Sequence, residues 1–161
     1  MTMVFSEKQK RVLGWWTRGS AERARDALIC DGAVRSGKTL SLGLSFVLWS
    51  MARFRGQQFA LCGKTRESIR RNLLPGVLPL LGELGFRWEE KVSKGELHIW
   101  CGRRENTYYL FGGKDEGSAA LIQGITLAGV LLDEVALMPR SFVEQACARC
   151  SVAGAKLWFS C

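Results

Sequence analysis

The chain has 161 residues, of which 47% are hydrophobic and 24% charged, enough for one α/β domain with a sizeable core and unlike a disordered chain. Its 23 Lys and Arg against 15 Asp and Glu give a formal net charge of +8, which favours polyanionic partners, nucleic acid first among them. No run reaches the ~18 apolar residues that a membrane span needs. Met1 to Lys10 lacks the apolar core of an export signal, so the six cysteines are expected to be reduced thiols in a cytoplasmic setting.

Phe5 to Trp16 has the spacing of an amphipathic helix, with Ser6 as its N-cap and Glu7, Lys8 and Gln9 in the first turn, and Gly19-Ser20 breaks it. Ala27 to Asp31 is an apolar run of strand length. Gly32-Ala33-Val34-Arg35-Ser36-Gly37-Lys38-Thr39 follows it and fits the phosphate-loop pattern G-x-x-x-x-G-K-[ST] at every fixed position. The glycines let the backbone wrap an anion so that successive N–H groups point inward. Lys38 is expected to reach the β- and γ-phosphates and the Thr39 hydroxyl to ligate Mg²⁺, with the positive end of the next helix facing the same phosphates. That helix is expected over Leu40 to Phe54, interrupted only by Gly43. Strand, glycine loop and helix in this order separate the motif from an ordinary Gly/Ser turn, which does not require Lys-Thr here. Arg35 sits within the loop, where its planar charged fork suits phosphate oxygens; the competing reading is an arginine that pins the loop or faces solvent.

Further along, Gln58 to Gly63 reads as a strand, Thr65 to Pro75 as a polar helix and Gly76 to Leu84 as a short helix closed by Gly85. The period then alternates. Phe86 to Val92, Glu96 to Cys101 and Asn106 to Phe111 are strand candidates, separated by Lys94-Gly95 and Gly102-Arg103-Arg104. A loop over Gly112 to Gly117 and a helix over Ser118 to Gln123 lead to Leu127-Ala128-Gly129-Val130-Leu131-Leu132, an apolar run ending in Asp133-Glu134. This is the Walker B pattern: a strand buried on both faces that delivers two carboxylates to the rim of a sheet. Asp133 is expected to hold Mg²⁺ and Glu134 to orient and polarise the water that attacks the γ-phosphate. Ser141 to Cys150 reads as a helix and Lys156 to Cys161 as a last strand. Because the sequence stops inside an apolar strand, the domain over residues 1–161 is expected to be incomplete at its C-terminal end.

Two minor signals stand beside these. Cys147-x-x-Cys150 has the spacing of a metal or redox pair but no second pair, and His98 is a lone histidine in a strand. Basic clusters lie at Lys8-Gln9-Lys10-Arg11, Arg66 to Arg71 and Gly102-Arg103-Arg104, readable either as a DNA track or as a solvated surface. The fold expected is an α/β P-loop NTPase of the ASCE type. It is a mainly parallel twisted sheet with helices on both faces and an antiparallel hairpin inserted between Phe86 and Phe111. Gly32 to Thr39 should join a central strand to a helix, and Asp133 should end an adjacent strand.

With both motifs placed, the chain resembles the N-terminal ATPase domain of the large terminase subunit of tailed bacteriophages and prophages. The resemblance runs from Phe5 to Cys161. Phe5-Ser6-Glu7-Lys8-Gln9 looks like the family's adenine-contacting segment, which implies that Gln9 reads the base. The phosphate loop is similar to the family's, including its internal arginine. So is the approach to Walker B through Tyr108-Tyr109-Leu110-Phe111-Gly112-Gly113 and Leu121-Ile122-Gln123-Gly124-Ile125-Thr126. Leu157-Trp158-Phe159-Ser160-Cys161 looks like the strand leading into the family's coupling motif. The resemblance implies an ATPase that uses ATP and Mg²⁺ to drive double-stranded DNA into a procapsid. It also implies a ring of identical subunits, a small terminase subunit and a portal protein as partners, and a place in the host cytoplasm rather than the mature virion. Two departures stand out. Gln123-Gly124 occupies a position where many relatives carry Arg-Gly, and the family's nuclease domain has no counterpart here. The alternatives are another P-loop nucleic-acid-dependent ATPase of helicase type, and a remnant that binds nucleotide without turnover.

Overall fold

The computed structural model describes residues 3–32, 37–114 and 116–161. Seven strands form one sheet: β1 (Ala27–Cys30), β2 (Gln58–Gly63), β3 (Arg87–Lys91), β4 (Glu96–Cys101), β5 (Arg104–Gly112), β6 (Gly129–Leu132) and β7 (Lys156–Ser160). The helices are α1 (Glu7–Gly14), α2 (Lys38–Arg53), α3 (Arg66–Asn72), α4 (Leu74–Glu83), α5 (Glu116–Gln123) and α6 (Arg140–Ala148). The strand order is β1-β7-β6-β2-β5-β4-β3. From β1 to β5 every neighbour is parallel, and β5-β4-β3 is an antiparallel meander.

One expectation about this sheet needs correction. The strand that feeds the phosphate loop is not central: β1 is an edge strand, and β7 separates it from β6. Burial gives the reason. All four residues of β6 are buried, so that strand needs cover on both faces and both edges, whereas β1 alternates between exposed and half-buried and leaves Ile29 66% exposed. The antiparallel segment expected between Phe86 and Phe111 is present as β3-β4-β5. It extends the sheet at the far edge, and β5 runs parallel to β2 over six paired residues, Gln58↔Thr107 to Gly63↔Gly112.

Alternation along the central strands divides the core in two. Phe59 and Leu61 of β2, Tyr108 and Leu110 of β5, and Leu131 of β6 face a cluster under α1, α2 and α4; its centre is Trp15, Phe46, Trp49 and Trp158. Ala60 and Cys62 of β2, with Val130 and Leu132 of β6, face the opposite cluster under α5 and α6, where Phe142 and Ala146 pack. Helix α2 carries the first cluster. Its residues from Ser41 to Val47 and from Trp49 to Met51 are buried, and its buried serines are satisfied: Ser45 Oγ donates to Val12 O at 2.6 Å, and Ser50 Oγ is bonded to the Tyr108 hydroxyl at 2.5 Å. Gly43 stands where α4 crosses, because a Cβ there would lie 2.5 Å from Leu73 Cδ1 and 2.9 Å from Val77 Cγ2. No described helix is long and apolar enough to cross a membrane.

Candidate nucleotide site

Because β1, β7, β6 and β2 run in the same direction, their C-terminal ends form one rim, the place where open α/β sheets bind ligands. Four segments meet there. The first is the phosphate loop. Ala33, Val34, Arg35 and Ser36 lie outside the described residues, so the loop is seen from its two ends. Gly32 O accepts a hydrogen bond from Lys38 Nζ at 3.2 Å. Gly37 has φ +73° and is the N-cap of α2; its carbonyl accepts from the backbone N–H and the hydroxyl of Ser41, both at 3.1 Å. Among the described residues no side chain caps this helix start, which leaves its N–H groups and partial positive charge toward the rim.

Gln9 comes from the second segment, α1. The capping box at Ser6 fixes it: Gln9 Oε1 accepts from Ser6 N–H at 2.8 Å, and Ser6 Oγ accepts from Gln9 N–H at 3.2 Å. That leaves Gln9 Nε2 against Gly37, so closely that a Cβ on Gly37 would collide with it. Gly37 is therefore glycine for two reasons, the left-handed backbone and the amide of Gln9.

The third segment ends β6. Asp133 is 8% exposed, and its N–H donates to Cys62 O at 2.8 Å. Its carboxylate oxygen Oδ1 accepts from Ser160 Oγ at 2.6 Å. Ser160, wholly buried at the end of β7, accepts in turn from the backbone N–H of Glu134 at 2.8 Å. One hydroxyl thus ties together both acids of the Walker B pattern. Glu134 is the only described non-glycine residue with positive φ, at φ 55° and ψ 52°, a conformation that costs about 1–2 kcal/mol for a residue with a Cβ. Its side chain is exposed at the rim.

The fourth segment is the end of β7 itself. Lys38 Nζ donates to Cys161 O at 2.5 Å as well as to Gly32 O. Lys38 and Asp133 are thus hydrogen-bonded to consecutive residues, Cys161 and Ser160. The amine and the acids, 95 positions apart in sequence (133 − 38), stand at one rim. Cys30 shares this rim; burial pushes its thiol pKa up, Lys38 pulls it back and Cys161 adds to the rise, which leaves a protonated thiol rather than a nucleophile.

Ser160 is the rim residue that motif reading did not assign to the site. Its one signal is a polar residue closing the apolar run Leu157-Trp158-Phe159. Other expected features lie away from the rim. Gln123 ends α5, and its carbonyl accepts from Arg149 Nη1 at 3.1 Å. Cys147 and Cys150 are free thiols, that of Cys150 pushed up to about 12 chiefly by burial, and no described cluster has the geometry of a metal site. His98 packs in β4 beside Glu96 at 3.2 Å and Glu105 at 3.4 Å.

The donor set suits a nucleoside triphosphate with a divalent cation: an uncapped helix start and an amine for phosphates, a buried carboxylate for a cation, and an exposed carboxylate beside it. Neither protein-family models nor curated proteins match the sequence. Solved structures do. The large terminase of a thermophilic bacteriophage superposes with a TM-score of 0.96 at 50% identity, over 99% of this chain and 39% of its own. The same enzyme in complex with ATP-γ-S gives 0.91 at 47% identity, over 98% of this chain and 38% of its own. The ATPase domain of the Thermus phage P74-26 large terminase gives 0.64 at 19% identity, over 99% of this chain and 70% of its own, and shows the shared fold alone. This chain therefore spans about two-fifths of the length of the thermophilic phage enzyme.

Proposed function

Because this chain belongs to the bacteriophage large terminases, we propose that residues 1–161 are the ATP-binding and hydrolysing domain of a motor that packages double-stranded DNA. The observation that carries the reading is the chain of contacts at the rim: Lys38 to Cys161, Ser160 to Asp133, and Ser160 to Glu134. It joins a phosphate-binding amine to two carboxylates through two consecutive residues.

In this reading the backbone from Gly32 to Thr39, including Ala33, Val34, Arg35 and Ser36, cradles the phosphates. Gln9 is assigned to reading the base. Thr39 and Asp133 would hold Mg²⁺, which, with ATP, supplies charge neutralisation and the phosphoanhydride bond to be cleaved. Lys38 Nζ has three donors, of which one goes to the Gly32 carbonyl and one to Cys161 O; phosphate oxygens would compete for them through charge-assisted bonds. The Glu134 carboxylate accepts the hydrogen bond of the attacking water and orients it. Arg35 stabilises charge that develops on the phosphate. The packaging partners in this reading are double-stranded DNA, a small terminase subunit, a portal protein and further copies of the chain in a ring. The work is done in the host cytoplasm, and the protein does not travel in the virion.

Separate measurement of binding and turnover tests the core of the reading. Lys38→Ala is expected to abolish tight binding of ATP-γ-S. Glu134→Gln, which keeps the shape but loses the proton-accepting carboxylate, is expected to leave binding nearly intact and to remove most turnover in a turnover-competent assembly. Equal loss of binding in the two variants would refute the division of roles.

A further inference from the structure

The end of the sheet opposite the nucleotide rim carries a second concentration of charge. Arg18 and Arg23, from the segment between α1 and β1, meet Arg53 at the end of α2 and Lys156 at the start of β7. With Trp16 and Phe54 they line an open recess of about 420 Å³. Helix α2 runs from Lys38 to Arg53, so its length alone puts the recess about 22 Å from the phosphate loop. No acid lines it, and among the described residues none of its four cations forms an ion pair. The nearby acids are Glu22, which lies 3.8 Å from Arg11, and Asp26. Asp26 raises the pKa of Lys156, but burial and the charge of Arg53 outweigh it, and the pKa is lowered.

The cations are not equivalent. Lys156 Nζ donates to the carbonyls of Arg23 and Arg25 and lies 4.9 Å from the centre of the Trp15 ring, so it holds the loop in place. The three arginines remain. The Arg53 guanidinium stacks on Trp16, 5.7 Å from the ring centre, and gives one long bond, 3.4 Å, to Trp16 O. A guanidinium held over an aromatic ring keeps most of its five donors uncommitted, free to present a fork to phosphate. The walls are indole, phenyl and guanidinium, with no side-chain amide or carboxylate to read a base edge.

We propose that this recess is a second anion site, in which Arg18, Arg23 and Arg53 take a phosphodiester group of double-stranded DNA without regard to sequence. The anion is assigned to DNA on the strength of the packaging reading above; the site itself rests on the recess.

Binding of a labelled duplex of about 30 base pairs to the full chain, followed by anisotropy over a series of salt concentrations, tests it. Arg18→Gln/Arg23→Gln/Arg53→Gln is expected to lose at least about tenfold in affinity and to flatten the salt dependence by about 2–3 in slope, as three lost phosphate contacts require. Arg18→Gln/Arg23→Gln leaves the Arg53–Trp16 stack untouched and should show an intermediate loss, which separates the site from misfolding of α2. Arg87→Gln/Lys91→Gln/Lys94→Gln removes the same charge from the exposed opposite edge of the sheet and should stay within about twofold of wild type. Equal losses in the two triple variants would overturn the proposal in favour of general charge. So would unchanged affinity in the recess variants, or poly-glutamate competing as well as duplex, which would make the partner an acidic polypeptide. ADP binding, measured in parallel, separates the two readings: ADP binding without duplex binding sinks this site and keeps the nucleotide site, and duplex binding through the recess without ADP binding does the reverse.

Discussion

Ser160→Ala removes one oxygen and two hydrogen bonds, and both acids of the rim feel it. The hydroxyl donates to Asp133 Oδ1 at 2.6 Å and accepts from Glu134 N–H at 2.8 Å, at a position with no exposure. A hydrogen bond to a charged group contributes about 1.5–3 kcal/mol, and a buried N–H left without a partner costs about 1–3 kcal/mol. Water reaching Asp133 at the rim offsets part of this, so the expected net loss of folding stability is about 2–3 kcal/mol. Function should suffer in a specific way. The bond to Ser160 holds Glu134 in its left-handed backbone conformation; without it the residue can relax by the about 1–2 kcal/mol that conformation costs, and the carboxylate swings away from its place. Turnover in a competent assembly should fall by at least about tenfold, equivalent to about 1.4 kcal/mol, while ATP-γ-S affinity changes less, because Lys38 and the helix start are untouched. Ser160→Thr restores the hydroxyl and should recover turnover, which a purely volumetric role would not produce. Denaturant unfolding, nucleotide titration and steady-state turnover read the three quantities. A Ser160→Ala protein within about 0.5 kcal/mol of wild type, with unchanged turnover, would refute the reasoning.

Other expectations follow from single contacts. Gly37→Ala meets both the positive φ of +73° and the amide of Gln9; it should cost about 1–2 kcal/mol of stability and weaken nucleotide binding, and Gln9→Ala should relieve only the steric part in the double variant. Arg35→Ala is expected to lower turnover in a functional assembly by at least about tenfold with a smaller change in affinity, as a transition-state contact worth about 1.4 kcal/mol would; unchanged turnover returns Arg35 to a structural role. At alkaline pH the buried thiol of Cys150 ionises less readily in the folded chain than in the unfolded one: its folded pKa of about 12 lies above the ordinary thiol value of 9.0. Its contribution to stability is therefore complete below about pH 9 and lost as pH rises toward 12. Cys150→Ser should flatten that limb of a stability-against-pH curve.

Local pattern was readable where local physics decides. The Gln58–Gly63 and Glu96–Cys101 strands have the bounds that alternation and flanking turns indicate, and Ser6 caps α1 as expected. Neighbour relations were not readable. Ala27-Leu28-Ile29-Cys30 and Gly129-Val130-Leu131-Leu132 are both short apolar runs, yet one is a half-exposed edge and the other is buried throughout. The difference is made by β7, placed between them by Trp158 packing on Trp15, Phe46 and Trp49. Charge was only partly readable. The basic clusters visible in sequence are partly spent on structure: Lys10 pairs with Glu7, Arg70 with Glu67 and Glu90, Arg66 donates to Leu110 O, and Arg104 donates to the carbonyls of Met51 and Ala52. The recess without acids is assembled from separate segments, none of them a cluster in the sequence.

The order of strands also explains how two small motifs so far apart can act as one site. β1 and β6 do not touch; each pairs with β7, through Cys30↔Ser160 on one side and Leu132↔Phe159 on the other. Among the described residues, the contacts between the ends of the loop after β1 and the acids after β6 pass through Ser160 and Cys161. Those residues are bonded to both: Cys161 N–H to Cys30 O at 3.0 Å and Cys161 O to Lys38, Ser160 to Asp133 and Glu134. Strain lies at the same junction, since Glu134 is held in a conformation that its own side chain disfavours. A strained carboxylate whose position depends on one hydroxyl is sensitive to small shifts of that strand. In the proposed reading, release of Cys161 O as Lys38 turns to phosphate would be such a shift, and the end of β7 would then link nucleotide binding to the placement of the Glu134 carboxylate.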